Sequence, residues 1–459
     1  MINIVCVNDK IKVNICDITV NGDGIGKVEG YPLFVKGGVT GDVAEVTVTK
    51  TNKTYGFARL DKIIKPSAYR QNPVCPCFDD CGGCNLMHMD YQGQLKTKSD
   101  FVVGNLAKIG GYPEGSYVYE GIIGADKIHN YRNKAQFPVS MQNGKAVCGF
   151  YKNKTHEIVP CNNCHIQNGA INTAVSVVLE FINKYKIPVY NEKNHKGIIR
   201  HIYVRSTDSD ELMVVIVANS NKKIQNSYVL KDMLCEKVKL KSLVQNINTA
   251  KSNVVLGYNN IILWGDGYVT AKINDIKFLI SPNSFFQVNY EQMKKLYSRA
   301  KEYANLDKTK TVFDLYCGVG SISLFVADCC KKVVGVEIVD AAIDNAKQNA
   351  IANGIDNAEF FCGDCGEVVY KLINDGYRAD VVFVDPPRKG CDEKTLSLIN
   401  DISPKTLVYV SCNSATLARD VAILRNYGYV MKKVCAVDLF PNSTHVETCV
   451  LLSKLKSSK

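Results

Sequence analysis

No stretch of this chain stays apolar for long. The longest aliphatic run, Leu212 to Ala218, is far too short to span a bilayer. Asp9 and Lys10 interrupt the first twenty residues, so no export signal is read there. These absences exclude a helical membrane protein and make a cytoplasmic location the expectation. Acidic side chains are also in deficit, 45 against 56 basic ones, for a net charge of +11. Cysteine is the opposite case, with 19. In a short secreted chain that number would mean a disulfide framework. In 459 residues without an export signal it reads as free thiols and ligands.

The length predicts two to four domains with substantial cores. The surplus of Lys and Arg over Asp and Glu is +1 in residues 1–60, +12 in 61–310 and −2 in 311–459. A basic middle suits contacts to a phosphate backbone, and a near-neutral end suits a pocket for a small cofactor. A solvated lysine-rich surface is the plainer reading of the same numbers.

Residues 1–65 read as all-β. Val13–Ile18 alternates, Asn21-Gly22-Asp23-Gly24 is a turn, and Leu33–Val35 and Val43–Val48 follow at short intervals between glycines. That spacing predicts a small OB-like β-barrel. A helix is predicted near Tyr91–Ile109 and another near Ile171–Tyr185, with strands at Ile199–Arg205, Leu212–Ala218 and Ile261–Trp264. This makes the middle α+β, with no topology fixed. Asn289 is placed to cap a helix, with Gln292 three residues on. From residue 311 strands and helices alternate. Strands fall at 311–316, 332–337, 358–362, 379–385 and 406–411, helices at 319–328, 340–353 and 415–427, and 436–440 and 446–452 form a closing hairpin. The expectation is a multidomain chain: barrel 1–65, central α+β domain 66–280, and a doubly wound, Rossmann-like α/β domain 281–459.

Gly318-Val319-Gly320 follows a strand, and Glu337 ends the next one, placed to accept hydrogen bonds from ribose hydroxyls. The third glycine of a dinucleotide fingerprint is missing. Ser323 stands there, and Asp314 precedes the loop. Both departures favour S-adenosylmethionine, which has no pyrophosphate to cradle. Asp364 can meet the adenine edge, or simply cap a helix. Asp385-Pro386-Pro387-Arg388 ends another strand. Arg388 replaces the aromatic residue of amine-methylating loops, which disfavours exocyclic-amine chemistry and leaves Asp385 to bind the base. Cys412 follows a further strand at the sheet's ligand-bearing edge, and Glu447 opens the last strand pair, where desolvation raises its basicity.

Five segments together resemble the RNA uracil-5-methyltransferase family: Ser281–Asn289, Asp314–Gly320, Asp385–Gly390, Ser411-Cys412-Asn413 and His445-Val446-Glu447. The resemblance implies methylation of uracil carbon 5 in RNA with S-adenosylmethionine. It implies Cys412 as the nucleophile at carbon 6 and Glu447 as the acceptor of the carbon-5 proton. Gln287, Tyr316, Glu337 and Asp385 are implied to touch cofactor or base, and Phe285 to stack on a base. Should Cys412 fail as nucleophile, Cys317 is next, since a helix amino terminus acidifies a thiol. Residues 22–58 resemble the TRAM domain of RNA-modifying enzymes.

Four further cysteines, Cys75, Cys77, Cys81 and Cys84, cluster upstream. Cys75-x5-Cys81-x2-Cys84 resembles the [4Fe–4S] motif of the 23S rRNA branch of this family, with Cys164 implied as fourth ligand and Cys161 as its competitor. Zinc on four thiolates is the alternative. Cys77-x3-Cys81-x2-Cys84 has radical spacing, but Gly83 stands where an aromatic residue is usual. Barrel and cluster together favour 23S rRNA as the partner, with tRNA as the alternative.

Overall fold

In the computed structural model residues 5–455 are described. Their contacts resolve into two units. One runs to Phe101 and includes Tyr151–His156 and Phe440–His445; the other holds Val102–Phe150, Glu157–Leu439 and the chain from Val446.

In the first unit β1 (Lys10–Ile18), β2 (Gly24–Val28), β3 (Tyr31–Val35), β4 (Val43–Thr51) and β5 (Gly56–Lys65) close into a barrel of order β1-β2-β3-β5-β4. Alternation puts Val13, Ile15, Leu33, Val35, Val46 and Val48 inside. Gly24 is required by close approach, since a Cβ there would lie 2.9 Å from Ile15 Cγ2. Asp42, fully buried, accepts hydrogen bonds from the Val39 and Ser67 amides and from Arg70 Nε, tying the barrel to the segment after it. A smaller core joins Ile18 and Val39 to Leu86 and Met89.

After α1 (Tyr91–Lys108) and β6 (Val118–Ile123), the second unit builds a seven-stranded mixed sheet. Its elements are β7 (Lys134–Gln142), β8 (Lys145–Tyr151), β9 (Ile158–Pro160), α2 (Gly169–Lys184), β10 (Ile199–Ser206), β11 (Glu211–Ala218), α3 (Ser227–Lys237), β12 (Lys239–Ile247) and β13 (Asn259–Gly265). The order is β13-β12-β11-β10-β7-β8-β9, with β11 and β12 parallel across the α3 connection. Phe137, Ile202, Val204, Val214 and Ile216 pack one face against α2 and α3. The hairpin β14 (Val269–Ile273) and β15 (Ile276–Ile280) leads through residues 281–289 to α4 (Tyr290–Ala304). Asn289 caps α4, its side chain accepting from the Gln292 amide.

The doubly wound layer follows: β16 (Thr311–Leu315), α5 (Ser321–Val326), β17 (Lys332–Glu337), α6 (Asp340–Ala352), β18 (Ala358–Cys362), α7 (Cys365–Asn374), β19 (Val381–Val384), α8 (Glu393–Ile402), β20 (Thr406–Ser411), α9 (Ser414–Asn426), β21 (Tyr429–Val437) and β22 (Glu447–Lys454). The strand order is β18-β17-β16-β19-β20-β22-β21-β6. β22 runs antiparallel between β20 and β21, and β6, from well upstream, pairs parallel with β21 at the edge. The order reverses between β16 and β19, which opens a crevice at the carboxyl ends of the strands. Helices α3, α7 and α8 were not expected from sequence. Among the described residues no helix is long and apolar enough to cross a membrane.

Candidate active site

Leu315 pairs with Val336 on one side and Val384 on the other, so Tyr316, Glu337 and Asp385 emerge at one edge of the sheet. The chain turns sharply there. Tyr316 takes φ 67°, Gly318 φ 56° and Gly320 φ 78°, and α5 begins immediately after. A left-handed tyrosine is costly, and here its hydroxyl lies 3.0 Å from Thr395 Oγ1. The Glu337 carboxylate is fixed by two backbone amides: Gly318 N donates to Oε2 at 3.2 Å and Val339 N to Oε1 at 3.0 Å. Fixed in this way, its oxygens keep lone pairs that can accept from further donors.

Ser323, standing where a dinucleotide fingerprint has glycine, has a definite task. Its amide and hydroxyl donate to Asp314 Oδ2 at 3.0 and 2.5 Å. Burial pushes the Asp314 carboxyl up to about 7, with the Glu337 charge adding to it, against the bonds from Ser323. Asp364 caps α7, accepting from the Glu367 amide at 3.3 Å. Gln287 is buried, and its carbonyl accepts from Asn133 Nδ2 at 3.0 Å. Phe285, by contrast, is 68% exposed. The backbone beneath it is held: Arg205 Nη2 donates to the Ser284 carbonyl at 2.9 Å, and Asn345 Nδ2 to Ser284 Oγ at 3.0 Å.

Two residues reach one edge by register. β20 and β22 pair Val410 with Cys449 and Ser411 with Thr448. Cys412 follows and Glu447 precedes that last Ser411–Thr448 pair by one residue, so both lie at this edge of the sheet. Electrostatics agree. Burial pushes the Cys412 thiol up to about 11, with the charges of Glu447 and Asp385 adding and Arg388 opposing. Glu447 is 2% exposed, and burial lifts its carboxyl to about 8, with Asp385 adding and Arg388 opposing. Asp385 is lifted to about 7 by burial and by Asp314. Cys412, Glu447 and Asp385 therefore form one electrostatically linked group.

The loop carrying Asp385 and Arg388 is pinned from α9. Asn413 caps that helix and donates from Nδ2 to the Arg388 carbonyl at 3.1 Å. Sequence reasoning missed two members of the site. Arg388 was noticed only for the aromatic ring it replaces, yet its charge favours the ionised forms of Cys412 and Glu447. Tyr297, buried on α4, lies 3.0 Å from Ser321 Oγ, and its hydroxyl is held far up by burial and by the Asp385 charge. Tyr297 shares its buried helix face with Tyr290 and Tyr303, so no local signal set it apart. Cys317 corrects an expectation. It is buried ahead of α5, and burial with Asp314 and Glu337 drives its thiol well up.

Cys75, Cys81 and Cys84 lie half-buried with Cys77 in one turn-rich segment of the first unit; Cys164, buried ahead of α2, belongs to the second. The Cys81 amide donates to the Cys77 carbonyl at 2.8 Å, and the Gly83 amide to Cys81 Sγ at 3.4 Å. Thiols are the right kind of donor for a cluster. Among the described residues, however, no three His, Cys, Asp or Glu side chains converge as a set for one metal ion.

Residues 90–455 match the family described as tRNA (Uracil-5-)-methyltransferase, and residues 5–60 match the TRAM domain. The chain belongs to the RNA uracil-5-methyltransferase family. As a member it is an S-adenosylmethionine-dependent RNA methyltransferase carrying an amino-terminal TRAM barrel. An uncharacterized RNA methyltransferase of Bacillus cereus is 43% identical over 98% of this chain and 97% of its own length. One from Oceanobacillus iheyensis is 44% identical over 96% of each. The solved Pyrococcus abyssi tRNA (uracil-54, C5)-methyltransferase, in complex with S-adenosyl-L-homocysteine, superposes with TM-score 0.76. It is 27% identical and covers 96% of this chain and 100% of its own.

Proposed function

We propose that the protein transfers the methyl group of S-adenosylmethionine to carbon 5 of a uridine in RNA through a covalent intermediate at Cys412. The observation that supports this reading is the nearness of Cys412 to Glu447, whose charge acts on its thiol beside the Ser411–Thr448 pair. The thiolate adds to carbon 6 and makes the ring an enolate. Carbon 5 then attacks the methyl carbon, the carbon–sulfur bond of the sulfonium breaks, and S-adenosylhomocysteine leaves. Glu447 takes the carbon-5 proton, the carbon 5–carbon 6 double bond re-forms, and Cys412 departs as thiolate. A thiol at about 11 is protonated at rest. The arriving sulfonium charge and Arg388 favour the thiolate, against the opposing charges of Glu447 and Asp385.

In this reading Glu337 and Asp364 with Gly318, Gly320, Tyr316 and Gln287 bind the methyl donor, Asp385 binds the base, and the uridine leaves its stack to reach Cys412. The division into 1–65, 66–280 and 281–459 belongs to the same proposal. The RNA is 23S rRNA. The alternative, tRNA, is favoured by the Pyrococcus abyssi likeness, which extends over nearly the whole chain. Incubation with methyl-labelled donor and unmodified transcripts of each, followed by nucleoside analysis, decides. Label in 5-methyluridine of 23S rRNA supports the proposal; label in tRNA alone replaces the substrate; label in neither defeats the reading.

A [4Fe–4S] cluster on Cys75, Cys81, Cys84 and Cys164 is part of the proposal on sequence resemblance. Protein purified without oxygen is expected to be brown, with iron and acid-labile sulfide in equal amounts. Cys75→Ala should lose the colour and Cys77→Ala keep it. Colourless protein with stoichiometric zinc overturns the cluster.

A further inference from the structure

The seven-stranded sheet ends in β13, and the loop entering that strand carries Tyr258, 98% exposed. A ring so placed is ordinarily a mobile surface feature, but here the backbone on either side is fixed. Asn246 Nδ2 donates to the Gly257 carbonyl at 2.9 Å, and the Gly257 amide donates back to Asn246 Oδ1 at 2.7 Å. A Cβ on Gly257 would lie 1.8 Å from the Ile247 carbonyl, so the loop sits hard against β12 and only glycine fits. Asn246 Nδ2 also reaches Asn260 Oδ1 at 2.9 Å.

The same bonds run on toward the active site. Asn260 Nδ2 donates to Asn283 Oδ1 at 3.2 Å, and Asn283 Nδ2 donates to the Gly257 carbonyl at 2.9 Å. Asn283 stands two residues before Phe285, whose backbone Arg205 holds. Two exposed aromatic rings, Tyr258 and Phe285, are thus joined by a ladder of amides instead of by flexible chain. Asn260 sits opposite Asn246 across the ladder, and Leu263 packs on the helix-side core. The surrounding sequence, residues 61–310, holds the basic surplus.

We propose that Tyr258, with the Asn260–Asn283 amides and Phe285, forms a stacking rim for the unpaired RNA bases that flank the methylated uridine. The ligand class is single-stranded RNA. Every base has a π-face, so an exposed ring on a fixed backbone binds it with little regard to sequence, while basic side chains attract the phosphates. Fixing the ring beforehand lowers the ordering cost of binding. The rim rests on the RNA-methylation reading for its place beside the target base, but its capture of single strands is a separate property.

The test uses the full chain and a fluorescein-labelled 15-nucleotide oligouridylate. Tyr258→Ala, at a position so exposed that the fold is unaffected, should weaken binding by about 5- to 150-fold, the usual worth of one stacked base. Tyr258→Phe should restore it, because stacking needs the ring and not the hydroxyl. With the RNA transcript that accepts label, the loss should fall on KM more than on kcat, and S-adenosylmethionine affinity should stay put. Equal affinity for Tyr258→Ala and the parent overturns the rim, even where the parent methylates RNA normally. A parent that methylates no RNA, together with a Tyr258→Ala that binds the oligonucleotide weakly, removes the methylation reading and leaves the rim.

Discussion

Cys412, Glu447 and Asp385 hold protons more tightly than free thiols and carboxyls do, and that sets the pH behaviour of the site. Glu447, lifted to about 8, accepts a proton only once ionised. The rate of adduct breakdown in single turnover is therefore predicted to rise with pH through about 8 and level off above it. A rate that is flat from pH 6 to 9 would mean another acceptor. Arg388 pulls both Cys412 and Glu447 down. Arg388→Gln should shift the rising limb to higher pH and slow turnover at pH 7 by about tenfold, since one pKa unit is about 1.4 kcal/mol. At this scale Cys412, Glu447 and Asp385 were legible as candidates because the proposed chemistry demands a thiol and carboxylates. Arg388 and Tyr297 act through their positions, and neighbours brought in by the fold leave no local pattern.

Elements that carry the site owe their order to short-range bonds. The loop from Asp385 to Gly390 closes through the Gly390 amide, which donates to the Pro387 carbonyl at 2.8 Å, with Gly390 at φ 79°. A Cβ there would sit 2.6 Å from Asp420 Oδ2 and from Arg419 Nη2. Asp420 is fully buried and accepts from the Cys391 amide and the Tyr409 hydroxyl, so it has no room to yield. Gly390→Ala is predicted to cost about 1–3 kcal/mol and to lower the unfolding midpoint by several degrees. An unchanged midpoint would show the loop to be freer than drawn. Strands β17, β18 and β20 and the Asn289 cap were readable because apolar runs and capping residues are local signals. Helix α8 was hidden because Asp392 reads equally well as a turn residue, whereas for α7 only its cap, Asp364, was legible. β6 was hidden because its partner β21 lies about three hundred residues downstream.

For the whole molecule, the buried carboxyls make stability depend on pH in an unusual direction. Asp314, Asp385 and Glu447 are lifted from 3.8, 3.8 and 4.5 to about 7, 7 and 8. The folded state binds protons that the unfolded chain releases, so their contribution is full below about pH 4 and is lost as pH rises to 8. The ligand-free protein is expected to melt lower at pH 8 than at pH 5.5, and Glu447→Gln should flatten that fall; a fall of the same size in the variant would refute the assignment. The barrel, for its part, exposes a ring cluster in which Phe34, Tyr55 and Phe57 lie 5.5–5.7 Å apart between centroids. Tyr55→Ala with Phe57→Ala should reduce RNA affinity about tenfold and leave the methyl donor bound as before, as expected of stacking surfaces. Loss of both would mean that the rings support the fold instead.

The proposed joint action of Cys412 and Glu447 is the central claim, and trapping the adduct tests it most directly. Labelled RNA that accepts methyl is mixed with S-adenosylmethionine and Glu447→Gln, then run on a denaturing gel. Thiolate addition and methyl transfer proceed in that variant, but the carbon-5 proton stays, so a protein–RNA band that survives denaturation should accumulate. Cys412→Ala, alone or combined with Glu447→Gln, should give neither the band nor methylated product. Normal turnover by Glu447→Gln without a trapped band, or a band that persists in the absence of Cys412, would contradict the account.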